Sequence, residues 1–64
     1  MQLSLYQLAV LLAVEACEVE DEQLSTDMDN TAQRMAGTFG EPDADFPGDV
    51  QSALDERIRS TARH

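Results

Sequence analysis

The chain has no lysine, one cysteine, one histidine and no basic side chain before Arg34. Each absence removes an explanation. With Cys17 alone there is no internal disulfide, so a bridged secreted scaffold is excluded as the source of stability. Cys17 sits among apolar neighbours, where a small inert core residue is expected rather than a reactive thiol. The single histidine is the terminal His64, at an end prone to fray, so the commonest general base is missing from the body of the chain. Acid pairs are plentiful, but on helix surfaces they are solvated, and catalysis needs a nucleophile with a base or two positioned carboxylates. The expectation is therefore a non-enzymatic protein without a cofactor. Glycine and proline are scarce too: all three glycines and both prolines fall within 37–48, leaving both flanks free of helix breakers.

What is present is acid. Net charge is −9, from thirteen carboxylates against four arginines. Between Glu15 and Asp49 stand eleven carboxylates and only Arg34, whereas the last stretch sets Asp55 and Glu56 beside Arg57, Arg59 and Arg63. A field of this sign repels nucleic acid and anionic membranes and attracts basic surfaces, so direct DNA or RNA binding is not expected. The apolar start, Met1 to Ala16, has no Lys or Arg with which to open a secretory signal and is shorter than the 18 or so apolar residues of a membrane span. A cytoplasmic protein is expected.

Sixty-four residues allow one domain, residues 1–64. So short a chain buries only about 60% of its unfolded surface, and its core is thin. The hydrophobic pattern is helical throughout, with no strand-like alternation, and predicts an all-α three-helix bundle. A long helix over about 3–24, capped by Ser4 or Gln2, would bury Leu5, Leu8, Ala9, Leu12, Ala16 and Val19 on one face. Tyr6, Val10, Leu11, Val14 and Cys17 lie off that face, so this half is apolar all round: either two other elements sandwich it, or part of it meets another chain. A short helix over about 27–36 would start at the capping box Thr26–Asp29, stop at Gly37 and bury Met28, Ala32, Met35 and Phe39. An acidic loop, 37–47, follows, with Phe39 and Phe46 plugging its ends into the core. The last helix, about 47–62, opens with Pro47 in its first turn, buries Val50, Ala53, Leu54 and Ile58, and carries its arginines where the dipole favours them.

The centre of this reading is Leu8–Glu22, LAVLLAVEACEVEDE, which turns from unbroken apolar to five carboxylates, Glu15, Glu18, Glu20, Asp21 and Glu22. On a continuous helix Glu15, Glu18 and Glu22 share a stripe, and five acids over roughly 10 Å of rise give about one charge per 2 Å. Duplex DNA carries about one per 1.7 Å. Carboxylates at a helix C-terminus oppose its dipole at roughly 0.3–1 kcal/mol each, a cost that points to a use for them. The bland reading is solubility; the functional one is an acidic surface for a basic partner, extended by Asp27 and Asp29 and by Glu41, Asp43, Asp45 and Asp49. The run Asp43 to Val50 begins like a calcium loop but has Pro47 at position 5 and Leu54 at position 12, so no metal is expected.

Taken over the whole chain, these residues resemble the small acidic anti-CRISPR proteins of phages and mobile elements that act as DNA mimics. The likeness is one of profile, carried by Glu15, Glu18, Glu20, Asp21, Glu22, Asp27, Asp29, Glu41, Asp43, Asp45 and Asp49. It implies an inhibitor that occupies a basic DNA or PAM-reading site on a CRISPR effector such as a type I Cascade complex, as monomer or homodimer. The alternative is a small homodimeric adaptor or antitoxin-like module, pairing through Tyr6, Val10 and Val14.

Overall fold

The computed structural model describes residues 3–62; Gln2, Arg63 and His64, named above as cap, cation and histidine, lie outside them. Three helices follow in order: α1 (Leu5–Ala16), α2 (Glu22–Phe39) and α3 (Phe46–Ala62). The all-α three-helix bundle is as expected, and α3 starts within a residue of the expected position.

The boundary between the first two helices is elsewhere. Ser4 caps α1, its Oγ accepting from the Gln7 N–H at 3.0 Å. The helix ends at Ala16 instead of running to 24. Asp21 is the reason. Its extended backbone and its carboxylate, which accepts the N–H groups of Gln23 and Leu24 at 3.0 and 3.2 Å, start α2 five residues earlier than the Thr26–Asp29 box would. Ser25 Oγ then donates to the Ala16 carbonyl at 2.6 Å, covering an otherwise unpaired group at the end of α1. Asp21 and Glu22 thus stand at a helix N-terminus, where the dipole favours them, and the penalty expected for acids at a C-terminus falls on Glu15 and Glu18, at the end of α1. The single-helix stripe of Glu15, Glu18 and Glu22 does not exist.

Gly37 does not stop α2, which runs on to Phe39 and is capped at Gly40. The connecting loop is therefore 40–45, shorter than the expected 37–47. Gly40 is needed for space: a Cβ there would lie 2.6 Å from the Ala36 carbonyl oxygen and 2.9 Å from the Tyr6 ring. Asp45 begins α3, accepting the Gly48 N–H at 3.2 Å through its carboxylate. Residues 46–54 are helix, so the calcium-loop pattern has no loop to occupy.

The buried face of α1 is rotated from the expected one. Ala9, Val10, Ala13, Val14 and Ala16 are buried, with Ala32 opposite on α2, whereas Leu5 and Leu8 are 48% and 40% exposed. Contact through alanines lets the two helix backbones approach closely; leucines at those positions would hold them apart. Leu12, Val19, Met28, Met35, Val50, Ala53 and Leu54 are half-buried. Phe39 and Ile58, expected inside, are exposed, and so is Cys17. Phe46 does plug its end, meeting Tyr6 edge to face at 6.1 Å. Both α2 and α3 pack on α1 but scarcely touch each other.

Candidate functional site

Because α1 and α2 form an antiparallel pair, the α1–α2 turn and the α2–α3 loop fall at opposite ends of the molecule. Eighteen residues of α2 separate them by about 27 Å. The eleven acids therefore do not form one stripe. Glu18, Glu20, Asp21 and Glu22, with Glu15 beside them, occupy one end; Glu41, Asp43, Asp45 and Asp49 occupy the other; Asp27 and Asp29 lie along α2 between them. All are exposed except Asp29, which is half-buried.

Several of these acids also hold the fold. Arg57 of α3 reaches across to Glu15 at 2.8 Å and Glu18 at 2.9 Å, tying α3 to the end of α1. The bonds to Glu18 and Glu15 hold the guanidinium above its ordinary pKa. Asp21 and Asp45 are helix caps, and Asp29 accepts from Gln33 at 2.8 Å one turn on. Asp49 accepts the Tyr6 phenol at 2.5 Å, fastening the start of α3 to the start of α1. That hydrogen bond, then desolvation and the charges of Asp49 and Asp45, push the Tyr6 hydroxyl up to about 12. Glu20, Glu22, Asp27, Glu41 and Asp43 make no side-chain hydrogen bond or ion pair among the described residues. Of the eleven acids these five have no structural duty, a standing that Glu56 of α3 shares, and four of the five lie at the two ends.

Between α2 and α3 runs an open groove of about 890 Å³, floored by α1. Ala13 and Cys17 lie on its floor, Ala36 and Gly37 on one wall, Val50 and Leu54 on the other, and Asp29 and Glu41 on its α2 side. Among the described residues no arginine lines it. Sequence reasoning missed this feature, since it follows from α2 and α3 diverging. Its only local signal is the small residues Ala36, Gly37 and Gly40, of which Gly37 reads in the sequence as a helix stop.

Among the described residues no three His, Cys, Asp or Glu side chains gather closely enough to hold a metal ion. None of the helices is long and apolar enough to cross a membrane. Comparisons with protein-family models, curated proteins and solved structures find no match.

Proposed function

We propose that this protein is a non-enzymatic inhibitor that binds a basic nucleic-acid-binding surface in place of DNA. The observation that carries the reading is the placement of acids without structural partners, Glu20 and Glu22 at one end and Glu41 and Asp43 at the other, about 27 Å apart. That span is roughly eight base-pair steps of duplex, so the two ends can meet lysines and arginines that would otherwise contact phosphates most of a helical turn apart. A host cell's CRISPR effector, with its duplex- and PAM-reading surface as in a type I Cascade complex, is the target class that the anti-CRISPR resemblance favours, and the site of action is then the cytoplasm of a bacterial cell. Inhibition works by competition: mimic and DNA exclude each other, and binding weakens with salt.

The test is capture of partners from a bacterial lysate at low and high salt, with Glu20→Lys/Glu22→Lys and Glu41→Lys/Asp43→Lys as the two variants. Each is expected to lose capture by tenfold or more while its helical circular dichroism is unchanged. Capture that is indifferent to salt and to both variants would sink the reading.

A second reading has its own observation. Leu5, Leu8 and Leu11 are exposed along the outer side of α1, in a segment without a charged residue. The accessible surface, 5005 Å², exceeds by about 900 Å² the roughly 4,100 Å² expected of a compact 7.1 kDa chain. A standard interface covers about 800 Å² per partner. A homodimeric adaptor would therefore pair through these leucines. It would not use Tyr6, Val10 and Val14, which the sequence suggested: Val10 and Val14 are buried against the rest of the chain and Tyr6 is bonded to Asp49.

A further inference from the structure

We propose that the groove between α2 and α3 is a docking site for a basic amphipathic helix, about three turns long, of a partner protein. For the sign of the partner's charge this rests on the acidic-surface reading above; for the groove it stands on geometry of its own. Three features select the occupant. The first is shape: from Asp29 to Gly40 the α2 wall is about 17 Å long, the rise of some eleven helical residues, and the channel lies open along that length. An elongated ligand covers it, whereas a compact small molecule would remain largely in water. The second is chemistry. Val50 and Leu54 offer apolar contact from α3, and Ala36 and Gly37 let a foreign backbone approach α2 closely; a Cβ added at Gly37 would meet nothing within 4 Å. Such a groove accepts apolar side chains at i, i+3 or i+4, and i+7 of a docked helix. The third is charge: Asp29 and Glu41 line the groove, Glu22 stands beyond one end, and among the described residues no cation faces it. Lysines or arginines flanking the docked helix's apolar stripe therefore meet carboxylates, while an acidic helix, or the acidic segments of a second copy, is repelled.

The probe is a synthetic eighteen-residue peptide with leucines on one helical face and lysines on the other. Its controls are the same composition scrambled to destroy the apolar face, and the version with glutamate in place of lysine. Cys17 supplies a built-in reporter, since it is the only thiol, is exposed and lies on the groove floor. The amphipathic lysine peptide is expected to bind at least tenfold tighter than either control and to slow reaction of Cys17 with a thiol reagent. Gly37→Leu fills the groove from a position with free space, so it is expected to abolish both effects without loss of helicity. Asp29→Asn with Glu41→Gln is expected to weaken the lysine peptide severalfold. Equal binding of amphipathic and scrambled lysine peptides, no binding at all, or binding indifferent to Gly37→Leu each overturns the docking site. Self-association that Gly37→Leu abolishes would overturn it in favour of a second copy. The lysate capture described above fails or succeeds separately through its Glu20→Lys/Glu22→Lys variant, since neither residue lines the groove.

Discussion

At the scale of single residues, acids in this chain divide into those that carry structure and those that do not. Sequence reasoning had no way to separate them, because a carboxylate that caps a helix and one that faces solvent look alike until the neighbouring N–H groups are placed. Asp21 is the plainest case: it was counted with an acidic run on one helix, yet its side chain starts the next one. Tyr6 shows the same coupling from the other side. It is the only tyrosine, and there is no tryptophan, so its ionisation is read directly from absorbance. The phenol is expected to titrate near 12 instead of 10, and Asp49→Ala is expected to bring the midpoint back toward 10, with the hydrogen bond and the nearest charge removed. The folded value lies above the unfolded one, so the contribution of this group to stability is fully present below pH 10 and is lost as pH rises from there through about 12. A midpoint at 10 in the folded protein would exclude the bond between α1 and the start of α3.

At the scale of elements, the composition of each helix was legible and its ends were not. Glycine carries the lesson. Gly37 reads as a helix stop but sits inside α2 with open space beside it, whereas Gly40, three residues later, is the cap and is crowded by Tyr6 and the Ala36 carbonyl. The two are expected to respond oppositely to alanine. Gly37→Ala removes a helix-interior glycine without meeting a neighbour and is expected to stabilise the protein by about 0.5–1 kcal/mol. Gly40→Ala forces backbone or ring to move and is expected to destabilise by about 1–3 kcal/mol. Urea-unfolding midpoints measure both, and a shift of the same sign in each would contradict the placement of the α2 terminus.

At the scale of the whole molecule, the outstanding property is loose packing. The radius of gyration, 12.1 Å, exceeds the roughly 10.7 Å expected of a 64-residue domain. In α3 no residue is fully buried. So much surface suits a protein completed by a partner, and two places compete for it: the groove and the outer leucines of α1. Leu8→Glu puts a charge on the second while leaving the first untouched. Sedimentation at rising protein concentration separates them. A 7.1 kDa species throughout leaves the leucine face without a partner of its own kind, whereas association that Leu8→Glu removes establishes the dimer.

Sequence alone determined the all-α class, the number of helices, the acid excess and the site of the one long helix-breaking segment. These depend on composition and on short-range periodicity, which the chain carries openly. Tertiary structure decided which side of α1 is inside, because alanines that pack closely and leucines that do not are both apolar to a pattern. It also decided that the acids stand at two ends. Their positions along the chain are fixed, but where α1 breaks and turns back is set by Asp21 and Ser25 finding partners, and that turn separates the two charge clusters by the length of α2.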